Sequence, residues 1–177
     1  MGVLVKQKPV KLVASIIFKE DKSLNCAEEK LKKIYGRLEN IEKTLPFDYT
    51  DYYSEEFGSP LQRKLICFKK PVNGENVSKI KLVANTIEDS FRSGGKRTVN
   101  IDPGYVTEAK LVLLTTKDYT HRVYVGRRIF AESTLFFQDG TFKPWPWTYP
   151  DYASRELLSY FNKVREIYMQ SIKENRC

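Results

Sequence analysis

His121 is the single histidine of the chain, and imidazole is the one side chain whose ordinary pKa lies close to neutrality. Such a group performs general acid–base chemistry once a carboxylate orients it. A two-residue turn at Gly126-Arg127 pairs Val125 with Arg128, and counting back sets His121 opposite Glu132 on one sheet face. A slip of one pair brings Thr134 opposite instead. Asp102 supplies a second carboxylate, in Asp102-Pro103-Gly104 after an apolar run. That tripeptide reads as a turn, because proline presets φ and glycine accepts a positive φ. The catalytic candidates are therefore His121, Glu132 and Asp102. The plain alternatives are a satisfied surface histidine and an aspartate bonding its own turn.

A ligand for such a centre is suggested by its neighbours. Lys117 and Arg122 are cations suited to phosphate oxygens, and Arg97 belongs to the same polar stretch. Thr115, Thr116 and Thr134 offer hydroxyls, Asp118 a further carboxylate, and Tyr105, with Tyr119 and Tyr124, a face for a planar group. The expectation is a polar pocket that binds or acts on an anionic small molecule, phosphorylated or a nucleotide. Two other readings use the same residues. One is a single-stranded RNA-binding module, although no RNP1-type string is present. The other is a protein-interaction module. No metal site is expected: the cysteines Cys26, Cys67 and Cys177 are far apart and form no C-x-x-C pair. No cofactor is called for; Mg²⁺ is admissible through Asp102, Asp118 or Glu132, without a paired acidic motif to support it.

These residues need elements to position them. The 177 residues suit a single domain, 1–177, with 41 % hydrophobic and 13 % aromatic content, enough for a core. The formal charge of +8 permits an anionic partner. No apolar run reaches membrane-spanning length, and Met1–Lys6 does not resemble a signal peptide. Cytoplasmic location and no membrane partner are the expectations; the sequence sets no oligomeric state.

Residues 10–18, apolar on both faces, read as a central strand. A helix capped by Asn25 runs through Leu31, Ile34, Leu38, Ile41 and Leu45 to Pro46. Strands follow over 47–55 and 62–70, then a helix carrying Ile80, Val83, Ala84, Ile87 and Phe91, and a strand over 97–102. Strand, helix, strand, strand, helix, strand is the ferredoxin-like split βαβ order. Strands at 109–117, 121–126, 128–137 and 141–145 add an antiparallel β-meander, with a hairpin at Asp139-Gly140. Asp151 caps a C-terminal helix with Leu157, Phe161, Val164, Tyr168 and Ile172 on its apolar side. The predicted class is α+β.

Four stretches in order, NIDPGYV from Asn100, KLVLLTTKDYTHRVYVG from Lys110, IFAESTLFF from Ile129 and PWTYPDY from Pro146, resemble the signature segments of the prokaryotic family catalogued as domain of unknown function number 4416. The resemblance spans nearly the whole chain and implies a full-length domain. It brings no established activity. Some members carry the label GTP-binding, but this chain has no G-x-x-x-x-G-K-[ST] phosphate loop.

Overall fold

Lys11–Phe18 forms strand β1, buried along its whole length, as its two-faced apolar pattern requires. Leu12, Ala14, Ile16 and Phe18 face one side of the sheet; Val13 and Ile17 face the other. The computed structural model describes residues 2–3, 7–50 and 53–174. Cys177, the Leu4–Lys6 part of the N-terminus and the Asp51–Tyr52 part of the strand expected over 47–55 lie outside them.

Around β1 stand β2 (Lys43–Pro46), β3 (Gln62–Cys67), β4 (Val99–Val106), β5 (Lys110–Thr115), β6 (Arg122–Tyr124), β7 (Phe130–Gln138) and β8 (Thr141–Pro144). One antiparallel sheet results, in the order β2-β3-β1-β4-β5-β7-β6, with β8 also on β7. The fold is α+β. Helices α1 (Asp21–Tyr35) and α3 (Val77–Asp89) cover one face through Leu24, Ala27, Leu31, Ile80, Ala84 and Ile87. The C-terminal helix α4 (Arg155–Glu174) covers the other through Leu157, Tyr160, Phe161 and Val164, against Val13, Leu65, Val106 and Leu135. A one-turn helix, α2 (Ser54–Phe57), lies between β2 and β3. Among the described residues no helix is long and apolar enough to cross a membrane.

Several elements differ from their sequence reading. Helix α1 stops at Tyr35, because Gly36 takes φ 89° and its N–H closes on the Lys32 carbonyl. Leu38 then bridges Phe68, and Leu45 sits in β2, so their helical spacing was accidental. Asn25 lies inside α1 rather than capping it. Strand β2 precedes residue 47, and 54–57 is helical. Helix α4 starts at Arg155, where the Ser154 hydroxyl accepts the Leu157 N–H; Asp151 is free for another partner.

The second half extends the first sheet, but not as a simple meander. β5 pairs directly with β7, and β6 lies outside β7. The hairpin at Asp139-Gly140 forms as read, with Gln138 opposite Thr141.

A cleft where the sheet divides

Asp102-Pro103-Gly104 is not a turn. It runs through the middle of β4, opposite Ser15, Ala14 and Val13 of β1. The Phe68 N–H bonds the Leu12 carbonyl, so alternation along β1 turns Leu12, Ala14 and Ile16 toward β3 and leaves Pro103 aimed away from β1. Proline therefore costs no ladder bond there. Gly104 serves close approach instead: a Cβ on it would lie 2.5 Å from the Val112 carbonyl oxygen.

Beyond Gly104 the sheet divides. β4 pairs with β5 only from Gly104–Leu113 to Val106–Leu111. β5 then follows β7 alone, through Leu113–Glu132, Leu114–Ala131 and Thr115–Phe130. Ile101, opposite Ile16, is left with its backbone groups facing the gap, and both are satisfied from α3. Glu88 Oε1 accepts the Ile101 N–H at 2.8 Å, and Lys81 Nζ donates to the Ile101 carbonyl at 2.7 Å.

A cleft of about 400 Å³ occupies the division. Five cations line it, Arg63, Lys81, Arg97, Lys117 and Arg122, with the carboxylates of Glu88, Asp102, Glu132 and Asp151 among them. Lys81 Nζ is 3.4 Å from Asp102 Oδ1, and the Asn100 amide donates to Asp102 Oδ2 at 2.8 Å. Arg97 makes a two-bond fork on Glu56, at 2.9 and 2.7 Å, and also reaches Glu88 and Asn100 at 2.9 Å each. Those bonds, first of all from Glu56, raise the Arg97 pKa above its ordinary value. The same fork holds the Glu56 carboxyl below its own. Arg63 lies between the rings of Phe47 and Tyr152 and bonds Asp151 at 2.6 Å. Burial works against its charge, but Tyr152 and Asp151 outweigh it and the pKa is raised. Burial also pushes the Tyr152 hydroxyl well above the usual phenol value.

Glu132 lies on the β7 wall. Between β6 and β7 the Val125 N–H bonds the Ile129 carbonyl, and the turn they close holds three residues, Gly126, Arg127 and Arg128, all at positive φ. The register is therefore one residue away from the sequence reading, and Arg122 stands opposite Glu132. The expected contact survives: His121 Nε2 is 3.1 Å from Glu132 Oε2, and Arg122 Nε meets the same oxygen at 2.9 Å. Burial opposes the Arg122 charge, but Glu132 outweighs it and raises the pKa. Thr134 is buried behind, 3.4 Å from Glu132 Oε1.

Of the sequence candidates, Asp102, Glu132, Lys117, Arg122, Arg97, Thr115 and Thr116 come together around the cleft. His121 stands behind Glu132, between the rings of Tyr119 at 5.3 Å and Trp147 at 5.5 Å. Asp118 is exposed outside the cleft. Tyr105, half-buried, packs against the core beneath α1 and α3 and does not line the cleft. The pocket residues that sequence reasoning missed include Lys81, Glu88 and Asp151. The available signal was in α3, where two charged residues seven apart flank an apolar stripe and hence share a helix face. Asp151 carried none, being paired with a residue 88 positions away.

The tryptophan loop seals a second gap. β6 covers the outer edge of β7 up to Glu132, and β8 covers it from Leu135. Between them, Trp147 Nε1 donates to the Ser133 carbonyl and the Thr148 hydroxyl to the Thr134 carbonyl. His121, Trp147 and Trp145 stack in a row to Phe136. Tyr149, Pro150, Asp151 and Tyr152 then continue as cleft wall.

Among the described residues no cluster of three or more His, Cys, Asp or Glu is arranged to hold a metal ion. No curated protein and no solved structure matches the chain. A family model does match, over residues 8–168, and those residues include every wall of the divided sheet; the chain belongs to the family described as Domain of unknown function (DUF4416).

Proposed function

We propose that the cleft binds, or acts on, a phosphorylated small molecule, with a nucleotide the best fit. The observation that carries this reading is the convergence of five cations on one cleft rimmed by Tyr49 and Tyr149. Both tyrosines are more than half exposed and can stack on a planar group. Four carboxylates nearly balance the cations, which favours a ligand with one phosphate over a triphosphate. Asp102 is the carboxylate best placed to meet the ligand, since 34 % of its side chain is exposed while Glu88, Glu132 and Asp151 are nearly sealed. In a proton transfer Asp102 is then the acid–base group, and His121 positions Glu132 and Arg122 from behind. We infer also that the first half is a ferredoxin-like split βαβ unit; the antiparallel order β2-β3-β1-β4 with α1 and α3 on one face supports it.

Thermal denaturation with a series of nucleoside mono-, di- and triphosphates and sugar phosphates tests the pocket. A ligand at a hundred times its Kd stabilises by about 2.7 kcal/mol, which raises Tm by roughly 5–10 °C in a chain of this size. Monophosphates are expected to give the shift. Tyr149→Ala should reduce it, and Asp102→Asn should keep or enlarge it by removing a negative charge. No shift with any phosphorylated compound would overturn the pocket reading.

A further inference from the structure

The sheet face that α4 covers is not covered to its end. Glu132 and Phe130, two apart on β7, share that face, and the register carries it outward to Arg122 and Tyr124 on β6 and inward to Leu113 and Thr115 on β5. The apolar cluster under α4 reaches Leu135 and Leu111 and includes none of Tyr124, Phe130 and Thr115. Past the row Arg122–Glu132–Leu113, which belongs to the cleft wall, the next row is therefore Tyr124–Phe130–Thr115. Tyr124 meets Phe130 edge to face at 5.5 Å and remains 59 % exposed. Tyr119, 64 % exposed, lies under the Arg122 guanidinium at 5.9 Å, and Tyr149 lines the cleft beside the same arginine. Tyr149, Arg122 and Tyr119 thus form one continuous surface, which β6 carries on to Tyr124. Exposed Arg128 borders its far end, where its N–H bonds the Tyr124 hydroxyl, while the Arg127 guanidinium turns to the Ser78 hydroxyl of α3 on the other face.

We propose that this uncovered end of the sheet binds single-stranded nucleic acid, running from the β6–β7 loop to the cleft, and that it rests on the cleft reading for the nucleotide that enters there. Charge and shape favour this occupant over another protein. Exposed rings such as Tyr149, Tyr119 and Tyr124 accept successive bases whatever their identity, and the guanidiniums beside them meet phosphates. The ring surface is continuous with the cleft of about 400 Å³, which is in the size range of a small-ligand site. A duplex keeps its bases stacked inside and cannot use these rings.

The test compares fluorescent eight-residue oligouridine and oligodeoxyuridine with uridine monophosphate and an eight-pair duplex, across salt concentrations. The single strands are expected to bind at least tenfold more tightly than the monophosphate, and ribose against deoxyribose separates RNA from DNA as the source. Tyr124→Ala should weaken the oligomers about tenfold and leave the monophosphate unaffected. Arg128→Asn suits the left-handed loop, which asparagine tolerates. One lost phosphate contact should flatten the log–log salt slope by about 0.7 on a single strand. Unchanged melting temperatures show that these surface variants fold. Equal binding of oligomer and monophosphate, with no effect of the β6 and loop variants, overturns the strand surface and leaves the cleft reading standing. Oligomer binding that depends on Tyr124 without any monophosphate binding overturns the cleft reading and keeps the strand surface. Duplex binding equal to single-strand binding overturns the stacking role, as does concentration-dependent mass without nucleic-acid binding, which marks a protein partner.

Discussion

Glu88 takes the place of a neighbouring strand for Ile101: its carboxylate accepts a backbone N–H that no β-ladder reaches, at 2.8 Å. The other oxygen of the same carboxylate holds Arg97 at 2.9 Å, and Lys81 lies 3.7 Å from the first. One acid therefore supports the backbone at the sheet's division and anchors two of the cleft's cations.

Replacing Glu88 by alanine removes all three contacts and leaves the buried Ile101 N–H without an acceptor and two cations short of a counter-charge. The expected loss is about 3–5 kcal/mol, in the range for breaking one side of a buried pair. Glu88→Gln keeps an acceptor for Ile101 but not the charge, and should lie between wild type and Glu88→Ala. Urea unfolding at neutral pH reads both. Equal midpoints for wild type and Glu88→Ala would show that the gap is held by something else.

The Glu56–Arg97 fork predicts an acid dependence with a definite sign. Hydrogen bonds from Arg97 hold the folded Glu56 pKa below its ordinary value. Its contribution to stability is therefore complete above the unfolded carboxyl pKa of about 4.3, and is lost as pH falls through the lower folded value. Wild type should exceed Glu56→Gln by about 1 kcal/mol at pH 7, as for a partly exposed bidentate pair. The two should converge toward pH 3. A difference that persists unchanged in acid would assign the effect to packing.

Gly104 predicts a steric outcome. A Cβ there meets the Val112 carbonyl oxygen at 2.5 Å and Leu113 Cδ2 at 2.8 Å, and the first is backbone in the only stretch where β4 and β5 pair. Gly104→Ala should cost about 1–3 kcal/mol. Hydrogen exchange should be fastest, relative to wild type, at the amides of Val112 and Leu113. A variant as stable as wild type, with unchanged exchange, would mean the strands can separate there without cost.

The legibility of this molecule in its sequence follows distance along the chain. β1 was readable because its apolar run has no polar face, and Asp139-Gly140 because a turn is set by its own residues. The contact of His121 with Glu132 was found through a turn of the wrong length: Arg127 and Arg128 both accept left-handed backbone, which adds a residue to the loop, and the length of the side chains absorbs the slip. Asp102-Pro103-Gly104 misled because its local chemistry is that of a turn, whereas the absence of a ladder beside Pro103 depends on where β5 diverges. The cleft's pairs, Arg63 with Asp151 and Lys81 with Asp102, join segments that the chain order keeps apart, and residue type alone does not announce them.

The loop across Ser133 and Thr134 has a consequence beyond holding His121. A long bare strand edge is a template on which another chain can add its own strand, the first step of sheet-to-sheet aggregation. β7 would offer nine residues of such edge. Three are taken by β6, four by β8, and the two between by indole and hydroxyl donors from the loop. Trp147 and Thr148 thereby deny an incoming strand its register on β7 between β6 and β8.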